Sequence, residues 1–135
     1  MERDPVICAG LGLNSAVTAD ELAELLAQAP QRPEQIAILR SKQTVQGFTA
    51  FASLCPIKVI ALDETEIVGE QVLTHSERVF ARFGTGSVAE ALALVAARLS
   101  TEPPAQAQLL GPRLISSSGH ATLALAATTP AETQT

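Results

Sequence analysis

"PVICAGLGLNSAVTADELAELLAQA" (residues 5–29) decides the fold class. It opens with a β-rich apolar run, residues 5–13, that closes in Gly10-Leu11-Gly12. Asn14 and Ser15 follow, and then Thr18 stands three residues before Glu21. That spacing is a capping box: the Thr hydroxyl takes one free amide of a helix start, and the Glu side chain reaches back to another. Leu22, Leu25, Leu26 and Ala29 fall on one helical face, with Asp20, Glu21, Glu24 and Gln28 on the other. Pro30 and Pro33 end the helix. The stretch reads as strand, glycine turn, helix.

The same alternation continues outward. "QIAILRS" (35–41) is a second strand. "QTVQGFTAFASL" (43–54) is a helix with Val45, Phe48, Phe51 and Leu54 inward, stopped by Pro56. "IKVIAL" (57–62) is a third strand, rich in β-branched residues. Strands alternating with helices imply a parallel sheet with right-handed crossovers. "DETEIVGEQVLTH" (63–75) shows no period. "SERVFARF" (76–83) is a short helix with Val79, Phe80 and Phe83 inward, ended by Gly84 in the left-handed conformation. Ser87 and Glu90 form a second capping box, opening "VAEALALVAARL" (88–99). That helix carries only Glu90 and Arg98 as charges, so it is the most buried one. "LLGPRLISS" (109–117) and "HATLALAA" (120–127) flank Ser118-Gly119 as an antiparallel hairpin. The expected fold is a single α/β domain over residues 1–127, followed by a disordered tail, 128–135. It is a three-layer α/β/α sandwich with a mixed, mainly parallel sheet and a C-terminal antiparallel hairpin.

Composition narrows the function. The chain has 135 residues, 47% hydrophobic and 17% charged, which suits one globular core. Its net charge is -5 and it has no Trp or Tyr. Nucleic acid wants a basic surface and stacking aromatics, so it is not an expected partner, and neither is an anionic membrane. No run approaches the ~20 apolar residues of a membrane span, and the start does not read as a signal peptide. A cytoplasmic location is expected. Cys8 and Cys55 show neither metal-site nor secreted-framework spacing and read as two buried, unpaired thiols. His75 and His120 lack a second metal ligand at useful spacing, so no metal is expected.

Two glycine stretches are candidate ligand loops. Gly10-x-Gly12 stands where α/β sheets bind ligands, and Asn14 and Ser15 extend it. The third glycine of the dinucleotide fingerprint is absent, so no nucleotide cofactor is expected. A structural turn is the plain alternative. Gly84-Thr85-Gly86-Ser87 opens a helix whose free amides and dipole favour an anion. The plain alternative is a helix-to-helix turn, although such a turn needs only one glycine. Glu90 is either the cap partner of Ser87 or an acid/base group; His120 is either a solvated turn residue or the second acid/base candidate. Arg40, Lys42 and Arg113 lie at strand ends and read either as a basic rim around a polyanion or as solvated charges.

"GLGLNSAVTADEL", "ILRSKQ", "ALDETEI", "GTGSVAEALAL" and the closing "PRLISSSGHATLALA" together resemble the CobE family, equivalent to the C-terminal domain of the cobalamin-biosynthesis protein CbiG. The resemblance covers residues 6–127, and "GTGSVAEA" is its specific part. It implies a role in the corrin-forming branch of tetrapyrrole synthesis, with a precorrin-type polycarboxylate as ligand and neighbouring pathway enzymes as partners. CbiG-type proteins open a lactone on a cobalt-precorrin and release acetaldehyde. No counterpart of their N-terminal domain is expected here, so the resemblance implies a binding or hand-over role first and a hydrolase or rearrangement activity as its alternative. A carboxylate-rich ligand gives both glycine loops and the basic rim a purpose.

Overall fold

The structure, a computed structural model, describes residues 5–101 and 105–129. β1 (Ile7–Leu13) leads into α1 (Ala19–Ala27), β2 (Gln35–Leu39), α2 (Gln46–Leu54) and β3 (Lys58–Leu62). A one-turn 3-10 segment, Glu64–Ile67, precedes α3 (Glu77–Phe83) and α4 (Val88–Leu99). β4 (Gln106–Leu109), β5 (Leu114–Ile115) and β6 (Ala121–Thr129) close the chain. The strand order is β3-β2-β1-β6-β4, with β5 also on β6.

The three-layer α/β architecture with a mixed sheet is present, and so is the C-terminal antiparallel pairing. Parallel pairings do not dominate, however: β1–β2 and β2–β3 are parallel, while β6 pairs antiparallel with β1, β4 and β5. The long partner of β6 is β1, in a seven-residue register from Ile7↔Ala127 to Leu13↔Ala121. Sequence neighbourhood suggested a local hairpin; the larger pairing joins the two ends of the chain. β6 runs on through Thr129, past the expected boundary at 127. Thr128 is buried, and its hydroxyl accepts from Val6 N at 2.9 Å. The rest of the expected tail, 130–135, lies outside the described residues.

The glycines at 10 and 12 belong to a strand rather than a turn. Alternation along β1 sends Ala9 and Leu11 to the α1/α2 face, where Leu22, Leu25, Phe48 and Phe51 cover them. It sends Cys8 and Gly10 to α4. A Cβ at Gly10 would stand 2.0 Å from Ala89 O and 2.5 Å from Ala93 N, so the missing side chain is what lets α4 lie on the strand. The small residues Ala37, Ala124 and Ala126 continue this seat. α4 is buried from Ala89 to Ala97, as its uniformly apolar sequence implied.

The capping box of α1 is formed: Glu21 N donates to Thr18 Oγ1 at 3.1 Å, and Thr18 N to Glu21 Oε1 at 3.0 Å. Two residues expected inward point out. Leu54 is 86% exposed because α2 ends on it and the chain turns away toward Pro56. Phe80 is 49% exposed on the two-turn helix α3, where it packs against the His75 ring instead of the core. Both cysteines are free, Cys8 buried and Cys55 half-buried. Burial pushes the Cys8 thiol up to about 11, with the Glu34 carboxylate adding to the effect. Among the described residues, no single helix is long and apolar enough to cross a membrane.

Candidate functional site

A cleft of about 470 Å³ opens beyond the carboxyl ends of β1 and β2. Its floor is Leu11–Leu13 and Leu39; one wall is α3 with the start of α4, and the other is the turn into β6. In α/β sheets this end of the strands is where ligands bind. Lys42, Arg78, Arg82, Arg113 and His120 line the cleft, and among the described residues no carboxylate does. Four of the nine Lys and Arg of an acidic chain therefore converge on one opening. Among the described residues none of the four is ion-paired with an acid. Like charges gathered without counter-ions repel one another, and the potential they create favours an anionic ligand.

Each cation is placed by local structure. Lys42 ends the short 3-10 turn Arg40–Lys42 that stops β2. Arg78 and Arg82 are four apart on α3 and so share a face; the Arg82 guanidinium stacks 4.9 Å over the Phe83 ring. Arg113 follows Pro112 at a break in the sheet edge. Leu110 N still bonds Leu125 O, and β5 resumes at Leu114↔Leu123, so residues 111–113 stand opposite Ala124 alone. That bulge turns Arg113 off the ladder. Its main-chain N–H donates to Glu90 Oε2 at 2.8 Å, and its Nη1 to Thr74 Oγ1 at 2.8 Å.

Six of the expected site residues meet at this cleft: Gly12, Asn14, Lys42, Ser87, Arg113 and His120. The others have different duties. Gly10 seats α4, and Ser15 is exposed in the turn beyond β1. Arg40 points elsewhere, into an exposed ion pair with Asp63. Gly84 caps α3 at φ 74°. Thr85 is buried, donating to Glu70 O at 3.2 Å. A Cβ at Gly86 would come within 2.8 Å of Thr74 O, so this glycine admits the chain's own 74–75 segment. Its carbonyl accepts from Ser76 N.

Glu90 departs furthest from the expected capping box. Ser87 Oγ does accept from Glu90 N at 3.3 Å. The Glu90 side chain, 0% exposed, turns away from Ser87. Oε1 accepts from Leu73 N at 2.7 Å and Thr74 N at 3.0 Å; Oε2 accepts from Thr74 Oγ1 at 3.0 Å and from Arg113 N. Four donors saturate it, and it does not line the cleft, so it has no free oxygen with which to move a proton on a ligand. It also answers the positive end of α4, which leaves attraction of an anion to the cleft's side chains.

His120 is among the residues that line the cleft. Its Nδ1 is buried without a hydrogen bond and lies 3.6 Å from Glu21 Oε1. Arg78, Arg82 and Thr74 were missed in the sequence. The i, i+4 arginines of "SERVFARF" were the readable signal; nothing local marks Thr74. A second groove, of about 500 Å³, runs along α1 and α2 to Pro33 and Pro56. It is mostly apolar, with Asp20 and Arg32 of opposite sign among its lining, and no cluster of charge. Among the described residues no three metal-ligating side chains come together.

A three-layer α/β domain with a cationic cleft at the end of its central strand is the class so defined. The chain belongs to the family described as cobalamin synthesis G C-terminus, whose model matches residues 7–126. It is thus a protein of cobalamin biosynthesis. The structure is similar to that of CobE, a protein from the cobalamin (vitamin B12) biosynthetic pathway. That likeness has a TM-score of 0.78 at 23% identity, covering 96% of this chain and 94% of that one. It is also similar to the cobalamin biosynthesis protein chiG from Agrobacterium tumefaciens str. C58, with a TM-score of 0.65 at 25% identity, covering 93% and 100%. Among curated proteins none matches.

Proposed function

We propose that the cleft binds a polycarboxylate tetrapyrrole of the corrin-forming pathway and holds it or hands it to a neighbouring pathway enzyme. One observation carries this: Lys42, Arg78, Arg82 and Arg113 converge on a cleft that, among the described residues, no carboxylate lines. Carboxylates around a macrocycle would each find a cation or a polar group such as the exposed Asn14, and the apolar floor of Leu11, Leu13 and Leu39 suits the ring body. The test is an absorbance titration with uroporphyrin III, a tetrapyrrole polycarboxylate. Wild type should bind it, and Arg78→Ala with Arg82→Ala should weaken binding by about tenfold or more. Equal affinity in wild type and variant would sink the reading.

A second reading, an enzyme acting on the same ligand, is favoured by His120, a residue of the cleft whose Nδ1 lies 3.6 Å from Glu21 Oε1. Histidine is the side chain most often used for proton transfer, and a carboxylate nearby could draw closer once a ligand is bound. In this reading His120→Ala keeps affinity for a precorrin but abolishes its conversion, followed by mass spectrometry. A precorrin recovered unchanged from wild type refutes the enzyme reading for that precorrin.

A further inference from the structure

We propose that Glu90 and Thr74 are positioning residues that fix the Arg113 guanidinium as the carboxylate anchor of the cleft; this rests on the binding reading above. The observation is a closed ring of bonds. Arg113 Nη1 donates to Thr74 Oγ1 at 2.8 Å. Thr74 Oγ1 donates to Glu90 Oε2 at 3.0 Å. Glu90 Oε2 accepts from Arg113 N at 2.8 Å. A hydroxyl has one proton to give and lone pairs to receive, so Thr74 can fill both roles at once. Glu90 has no solvent contact, and its other oxygen clamps the main chain of Leu73 and Thr74.

The ring acts on both ends of Arg113. Its main chain is held at a sheet bulge, where no strand partner could fix it. Among the described residues its side chain is held through Nη1 alone; Nε is buried without a partner, which leaves the outer end of the guanidinium to face a ligand. Arg78 and Arg82 are exposed on a short helix; Arg82 stacks on the Phe83 ring, but among the described residues neither is held in a ring of hydrogen bonds. A pre-oriented guanidinium loses less freedom on binding and presents a planar fork to a carboxylate. Arg113 is thereby the orienting contact of the cleft, and the other cations supply attraction.

The experiment is a double-mutant cycle on uroporphyrin III affinity, with melting temperature followed in parallel. Thr74→Val should weaken binding by about three- to tenfold, on the scale of a lost charged hydrogen bond and its pre-organisation. Thr74→Ser, which restores the hydroxyl, should return affinity to within about twofold of wild type. In an Arg113→Ala background, Thr74→Val should have no further effect, because it acts only through Arg113. Multiplying effects, or a Thr74→Val that leaves affinity unchanged while Arg113→Ala lowers it, overturn the positioning role alone. Wild type that does not bind, or Arg113→Ala without effect, overturns the anchor altogether. If Thr74→Val does not fold, Arg113→Lys replaces it in the comparison. It keeps the main-chain bond to Glu90 and the charge but loses the fork, so affinity should fall by about the same factor. Affinity equal to wild type counts against the proposal.

Discussion

Gly10 shows how a glycine suggestive of a ligand loop is used up by packing. Its Cα hydrogen occupies the space where α4 rests on β1, and any side chain would meet Ala89 O at 2.0 Å. Gly10→Ala should therefore destabilise the fold by about 1–3 kcal/mol, the range for overpacking a filled core. Urea unfolding, with a lowered midpoint at unchanged slope, is the check; an unchanged midpoint would mean that α4 moves away freely. Cys8, next but one on the same face, is shut in by the same contacts. Its thiol is raised to about 11 by desolvation, so at pH 8 it is almost wholly protonated, and the thiolate is the reacting species. Cys55 should consume one equivalent of a thiol reagent in the native protein, and Cys8 should follow only on denaturation. Two fast equivalents at pH 8 would contradict this. The raised thiol also gives stability a sign with pH. The unfolded chain deprotonates first, so the contribution of a neutral Cys8 falls as pH climbs from about 9 toward 11.

The junction of α3 and α4 carries the lesson at the scale of elements. "GTGS" has the composition of an anion loop, yet three of its four residues hold the chain to itself. Gly84 ends α3 in the left-handed region, Thr85 bonds Glu70 O, and Gly86 admits the 74–75 segment. Gly84→Ala should cost roughly 1–2 kcal/mol for its positive φ. Ser87→Ala should cost ~1 kcal/mol for the lost cap. Only Ser87 lines the cleft, so affinity for uroporphyrin III should follow melting temperature for Gly84→Ala and fall beyond it for Ser87→Ala. The result against this assignment is a Gly84→Ala protein that melts like wild type but no longer binds.

At the scale of the molecule, a chain of net charge -5 gathers four cations at one end of its sheet, none of them ion-paired among the described residues. If these attract the ligand through solvent, raising ionic strength from about 0.05 to about 0.5 M should weaken uroporphyrin III binding steeply, because the screening length falls from above about 10 Å to about 4 Å. Salt-independent affinity would count against the cationic cleft as the binding site. Residues near in sequence settled much of this architecture. Thr18 and Glu21, the Leu periodicity of α1, the β-branched strands and the apolar α4 were legible because each depends on partners within a few positions. The same spacing, Ser/Thr-x-x-Glu, gave two outcomes. Glu21 bonds the Thr18 amide, whereas Glu90 is claimed by amides 16, 17 and 23 residues away. Inside a core, unpaired main-chain donors are costly, so whichever segments the fold brings to a buried carboxylate take it from its local partner. The sequence by itself determined the elements, their α/β order and the family resemblance. Only the tertiary structure decided that β6 lies against β1, that α3 brings Arg78 and Arg82 to Lys42 and Arg113, and that Glu90 is a clamp and not a cap. Those are contacts between distant segments, and no local spacing encodes which of them will meet.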